Sequence, residues 1–349
     1  MHFTISTALT LLAAIDPAVA SPLEARQGGA FVAVGLKYSS PGCTASTLIN
    51  PDPIFGDGNV CQPLDRFNTG VPIRSYTTSS VSAGCSDAEL HPEATGLAAA
   101  TVKAHSAECP LKLYSGWFCP FVQRVWIALE EKGIQYQYIE VNPYHKPQSL
   151  LDLNPRGLVP TLQYQNKPLY ESTVLCEFLE EAFPQHTPHL MPTDPYERAR
   201  TRIWTDYVGS RIIPAWHRFL QHQGDGLEEK QKEFLHHIKE FTREMDKEGP
   251  FFSGKDFGLI DIVIAPWANR LWVFDHFKGG SGIPDEGKGG EDEEVWKRFR
   301  KWLAAVESRK SVKETLSERE HYLPIYQRYA DDKAQSEAAK AIRAGRGIP

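Results

Sequence analysis

The sequence predicts a small α/β module followed by an all-α domain, with a loop-rich extension ahead of both. Three observations carry that expectation. Between residues 111 and 183 the apolar pattern switches between period two and period 3.6, in the order strand, helix, strand, short helix, strand, strand, helix. From about residue 193 only the helical period remains. Before residue 109 the chain is rich in Ser, Thr, Gly, Pro and Asn, the residues of turns. The expected divisions are 1–20, 21–108, 109–186, 193–330 and a tail at 331–349. A length of 349 residues suits two or three domains. A formal charge of -6 gives no reason to expect nucleic acid as a partner. No apolar run reaches the roughly 18 residues that would span a bilayer.

Taken in order, residues 1–20 read as a secretory signal, with an apolar stretch from Phe3 to Ile15 and small residues at Ala18-Val19-Ala20. No Lys or Arg precedes that stretch. Residues 21–108 fit a small cysteine-containing module: "FVAVGLKYSS" reads as a strand, and 86–108 reads as a linker. Cys43, Cys61, Cys85 and Cys109 suggest a disulfide framework with three pairings open, whereas Cys119 and Cys176 suggest free thiols.

"LKLYSGW" then reads as a strand and "PFVQRVWIALEEKG" as a helix, with Phe121, Val125, Ala128 and Leu129 on one face and Gly133 at its end. "IQYQYIEV", "VPTLQY" and "PLYE" follow as strands, and "STVLCEFLEEAFP" as a helix. The segment after Thr193 predicts a long helix bent near Pro214, and "LIDIVIAPWANRLWVFDHF" predicts the buried centre of the helical domain. Gly258 takes the cap position ahead of Asp261, a weaker but acceptable N-cap.

The chemistry centres on Cys119, which precedes Pro120 where a strand gives way to a helix. Unpaired N–H groups at a helix start favour negative charge, so the spacing predicts a depressed thiol pKa and substantial ionisation at neutral pH. Three places on stands Val122 rather than a second cysteine. A lone thiolate cannot resolve its own disulfide. It must pass through a mixed disulfide released by a second small thiol. Further along, "NPRGLVPTL" puts Pro160 at a strand start, and "YESTV" puts Glu171 and Ser172 at a strand-to-helix turn suited to a carboxylate and an ammonium.

Residues 111 to about 325, with "FCPFVQR", "HKP", "NPRGLVPTL" and "YES" in that order, resemble the glutathione transferase superfamily, and Cys-Pro-Phe at 119–121 resembles its omega class. The resemblance implies a thioredoxin-like α/β module joined to an all-α helical C-terminal domain. It implies that Cys119 forms a mixed disulfide with glutathione, the co-substrate. Phe121 and Lys146 would flank the tripeptide, Val159 beside a cis Pro160 would pair with its backbone, and Glu171 and Ser172 would hold its γ-glutamyl end. It further implies thiol transfer or reduction of dehydroascorbate or glutathionyl ketones, and a homodimer in the cytoplasm. The 21–108 segment resembles a fungal small secreted cysteine-containing protein, which would make the whole chain secreted.

Other residues enter as weaker candidates. Trp204 and Tyr207 are expected to line the second-substrate pocket. Trp267, Arg270, Trp272 and Phe274 are expected to be mostly core, as is Cys176. His236 and His237 are adjacent and cannot form the i, i+4 pair of a zinc helix, so no metal is expected. "GGSGIPDEGKGG" is expected to be a surface loop, and "DDKAQSEAAKAIRAGRG" a frayed helix or tail.

Overall fold

In a computed structural model the described residues are 31–38, 48–55, 75–81, 93–142 and 145–348. They fall in two units, Met1–His91 and Pro92–Pro349. In the first, β1 (Phe31–Tyr38) lies between β2 (Leu48–Phe55) and β3 (Ser75–Val81), antiparallel to both. The signal at 1–20 and Cys43, Cys61 and Cys85 lie outside the described residues.

The second unit begins with a correction. The Ala-rich stretch expected to be linker is a helix, α1 (Gly96–Ala104), with Ala98 and Thr101 buried. It is docked rather than free: Thr101 Oγ1 donates to Glu314 O at 2.8 Å, and Ala98 N donates to Leu316 O. Cys109 is a second correction. Its thiol is free and reaches the carbonyl of Gln135 at 3.6 Å, so it belongs to no disulfide framework.

The α/β module follows the predicted order: β4 (Leu111–Ser115), α2 (Pro120–Lys132), β5 (Gln137–Glu140), α3 (Gln148–Leu151), β6 (Thr161–Tyr164), β7 (Lys167–Tyr170) and α4 (Ser172–Ala182). The sheet order is β5-β4-β6-β7; β4 and β5 are parallel, and the other pairs are antiparallel. Gln165 and Asn166 both take positive φ, the two-residue turn that matches the twist of a hairpin. Pro120 starts α2 without forfeiting a hydrogen bond, and Gly133, at φ 60°, ends it. The predicted face of α2 is too narrow. Val122 through Leu129 are all buried, because α4 covers one side and the helical domain another.

The helical domain comprises α5 (Pro195–Tyr207), α6 (Ile213–Gln221), α7 (Leu227–Arg243), α8 (Leu259–Ala268), α9 (Trp272–Phe277), α10 (Glu293–Ser308), α11 (Lys310–Lys313), α12 (Arg319–Ala330) and α13 (Glu337–Arg343). Asp194 caps α5 by accepting from Glu197 N at 3.0 Å. The bend expected near Pro214 is a π-helical turn, Val208–Ile212, which feeds directly into α6. The expected tail is a third correction: α13 packs on α6, with Ala334, Ala338, Ala339 and Ala341 buried.

All ten residues of α8 are buried. Its start rests on Asp261, whose carboxylate accepts from Gly258 N at 3.0 Å, Phe252 N at 2.9 Å and Trp302 Nε1 at 2.7 Å. Gly258 has no side chain to complete a reciprocal cap, and a Cβ there would sit 3.3 Å from Leu190 O. The missing cap residue thus follows from close backbone packing. Burial raises the Asp261 pKa to about 6, against the three donors. Replacing Asp261 with Ala leaves three buried donors unpaired. It should destabilise the fold by about 3 kcal/mol or more, read as a lower urea midpoint at pH 7.

Candidate active site

Cys119 is the residue before the first turn of α2, held there when its N–H donates to Gly116 O at 2.8 Å. Its sulfur opens on a cavity of about 910 Å³ that the α/β module and the helical domain enclose together. The Val159–Pro160 peptide is cis, and Val159 O lies 4.0 Å from Cys119 Sγ. Phe121, Lys146, Val159, Pro160, Glu171 and Ser172 all line the same cavity. Sequence positions that are far apart therefore converge on one space.

Each wall residue has a local cause. Lys146 lays its stem over Gly157, where φ is +62° and a Cβ would collide with Lys146 Cδ, and its ammonium donates to Arg156 O at 2.9 Å. Glu171 adopts φ 73°, a left-handed conformation uncommon for a residue with a side chain. It is the N-cap of α4 and lies 3.3 Å from Arg156 Nη1. Ser172 is therefore the first residue of α4 rather than its cap, and its hydroxyl accepts from Arg124 Nη1 at 3.0 Å.

The electrostatics correct the expectation for the thiol. Burial desolvates the sulfur and raises its pKa, which favours the protonated thiol at neutral pH. The N–H groups of Val122 and Phe121 at the helix start pull in the predicted direction, as do the charges of Arg270 and Arg124, but together they do not overcome desolvation. The two arginines were absent from the sequence reading of the thiol. Arg124 donates to Val263 O at 2.8 Å and lies over the rings of Trp267, 4.7 Å from its centroid, and Phe121, at 5.2 Å. Arg270 bonds Gln123 Oε1, donates to Pro266 O at 2.6 Å and covers the Tyr322 ring. Both are buried, and among the described residues neither has a carboxylate partner. A buried cation without a counter-ion is costly, and a sulfur anion at Cys119 relieves that cost.

The second-substrate wall differs from the prediction. Trp204 and Tyr207 do not line the cavity. Trp204 packs on Phe241 and Phe252, and Tyr207 Oη meets His237 Nδ1 at 3.0 Å. On this part of the chain Arg202, Asp206, Gly209, Ile213 and Trp216, spaced by four and three, line the cavity, with Thr205, Ser210 and His217 beside them. Tracing that spacing through Pro214 would have found them. Trp267 does line the cavity, whereas Phe274 is core and Arg270 and Trp272 flank a separate small pocket of about 220 Å³. Cys176 is fully buried, and burial raises its pKa to about 12. Among the described residues no three His, Cys, Asp or Glu side chains gather as metal ligands, and no helix is long and apolar enough to cross a membrane.

A raised pKa moves the thiolate to higher pH. Alkylation of Cys119 by iodoacetamide should therefore still climb about tenfold per pH unit between pH 7 and 8, with a midpoint above the ordinary thiol value of about 8.5. Replacing Arg270 with Met should slow the reaction at pH 8 by at least about twofold and move the midpoint further up, as read from rates across the pH range.

Two family descriptions match this chain: Glutathione S-transferase, N-terminal domain, over residues 118–182, and Glutathione S-transferase, C-terminal domain, over residues 224–305. Glutathione S-transferase omega-1 of Sus scrofa is 38% identical over 167 residues, which are 46% of this chain and 67% of that protein. A probable glutathione S-transferase of Nicotiana tabacum is 32% identical over 217 residues, 62% of this chain and 92% of that one. The crystal structure of glutathione transferase Omega 3C from Trametes versicolor superposes with a TM-score of 0.62 at 46% identity, covering 70% of this chain and all of that one.

Proposed function

The chain belongs to the glutathione S-transferase family, and from that premise we propose that it is a glutathione-dependent thiol transferase and reductase of the omega type. The observation that carries this reading is the shared cavity: the Cys119 sulfur opens on the same space as Val159, Glu171 and Ser172. The names of the pig and Trametes relatives, both omega, support it.

The cycle balances with two thiol exchanges. The Cys119 sulfur attacks the glutathione sulfur of a mixed disulfide, forming a protein–glutathione disulfide and releasing the other thiol, which takes up a proton. A second glutathione thiolate attacks the glutathione sulfur held on Cys119. Oxidised glutathione leaves, and the Cys119 sulfur is restored. Val122 occupies the place where an internal resolving cysteine would stand, so release falls to the second glutathione. In each step Cys119 carries negative charge as it attacks or departs, and Arg124 and Arg270 are the cations beside it.

Val159 would pair with the glutathione backbone. The start of α4 at Ser172 would receive the γ-glutamyl carboxylate, and Glu171 its ammonium. Each turnover would consume reduced glutathione, which favours the cytoplasm for the transferase part; a functioning signal at 1–20 would instead send it out of the cell. A homodimer is part of the same proposal by family likeness.

A second reading, reduction of glutathionyl hydroquinones, is favoured by the aromatic rings of Phe121, Trp216, Trp267 and Tyr326 around the cavity. Both readings need the thiol. Cys119→Ala should lower the reduction of a glutathione–mercaptoethanol mixed disulfide by about a thousandfold or more, while the protein still binds a glutathione resin. Undiminished turnover in that variant ends both readings. Assays of the mixed disulfide and of a glutathionyl hydroquinone, run side by side on the unaltered protein, separate them.

A further inference from the structure

Part of the wall of the Cys119 cavity comes from the stretch after residue 334, which the glutathione reading leaves unused. Ser336, Ala338 and Lys340 line it, and so do Gly347 and Ile348. The two parts of this wall are held differently. α13 is fastened at several points. The Ser336 hydroxyl accepts from Ala339 N at 3.1 Å and from Tyr329 Oη at 2.8 Å, Gln221 Nε2 donates to Ala339 O at 3.3 Å, and Arg343 Nη2 donates to Ala334 O at 2.7 Å. Beyond α13 the fastening thins. The N–H groups of Ala344, Gly345 and Arg346 fold back onto the carbonyls of Lys340, Ile342 and Ala341. Neither Gly347 nor Ile348 is hydrogen-bonded to another described residue. Gly345, Arg346 and Gly347 are exposed, and then the chain turns inward: Ile348 is half-buried and packs against the core.

We propose that Ile348 sets the size limit of the cavity: its side chain fills space that a bulky apolar partner of Cys119 has to enter, and residues 345–348 swing outward to admit it. The proposal follows from the cavity and does not depend on which thiol exchange Cys119 performs. Gly345 supplies a pivot just after α13, at φ 64°, a conformation that glycine adopts without strain. A Cβ at Gly347 would meet nothing within 4 Å, so no neighbour crowds the backbone there. Apolar packing has no direction, so the surface beneath Ile348 is covered as well by an apolar substrate as by the isoleucine. α13 itself is not the moving part, because Gln221, Tyr329 and Arg343 hold it in place. A small reagent passes beside the side chain, whereas a large one displaces it.

The test compares the alkylation of Cys119 by iodoacetamide and by N-(1-pyrenyl)maleimide, followed on the Cys119 peptide by mass spectrometry so that the other thiols do not contribute. The unaltered chain is set against a chain shortened to end at Ala344, which keeps α13, and against Ile348→Ala. In both variants the pyrenyl reagent should react about fivefold faster or more, the change expected when most of one isoleucine's burial is lost, while the iodoacetamide rate stays within about twofold. Ile348→Trp should slow the pyrenyl reagent and spare iodoacetamide. An unchanged ratio of the two rates overturns the proposal, and so does an equal rise for both reagents, which would mean that the thiol had simply been uncovered. Should the shortened chain melt at a lower temperature, the two single substitutions still decide the matter. Neither reagent involves glutathione, so failure of the thiol-transfer reading, seen as undiminished turnover in Cys119→Ala, leaves this result untouched, and failure here leaves that reading untouched.

Discussion

A helix buried on every side has no solvent face on which to leave its polar groups, and α2 carries three of them inward: Gln123, Arg124 and Lys132. Each is answered by a different part of the chain. Lys132 pairs with Glu180 at 2.7 Å and donates to the carbonyls of His186 and Pro188. Gln123 reaches Thr315 and Arg270. Arg124 ties Ser172 at the start of α4 to Val263 within α8. Breaking one partner of such buried sets costs on the order of 3–5 kcal/mol, because the other is stranded away from water. The α/β module and the helical domain are thereby locked in one register. Cys119, one residue ahead of α2, inherits its place from that lock.

The α/β module was legible in the sequence because its signals are local. Alternation marks β5, and Pro120 and Gly133 bracket α2. The grouping of Cys119 with Glu171 and Ser172 was also legible, since one motif order carries all three. What failed was tertiary. The face of α5 and α6 was misread because Trp204 looks like a pocket residue by type, whereas it packs on Phe241 and Phe252, and the spacing that continues through Pro214 was not followed. α1 was taken for a linker and α13 for a frayed helix or tail because alanine is a weak apolar signal, though small side chains are what let a helix lie close against its neighbour. The thiol pKa was misread because the helix start is local, whereas the desolvation that dominates comes from the whole surround.

The cavity lining combines two kinds of chemistry. One is polar, made of a cis peptide carbonyl, a helix start and a carboxylate. The other is aromatic, from the rings of Phe121, Trp216, Trp267 and Tyr326. Between them lies a sulfur flanked by two guanidiniums.

The protonated state of the resting sulfur also bears on how long the protein lasts. Peroxide attacks thiolates, not thiols, and over-oxidation to sulfinic or sulfonic acid is irreversible in most settings. A sulfur that desolvation holds in the neutral form spends little of its time in the vulnerable one. The same packing that slows the group at rest thus shields it from oxidants.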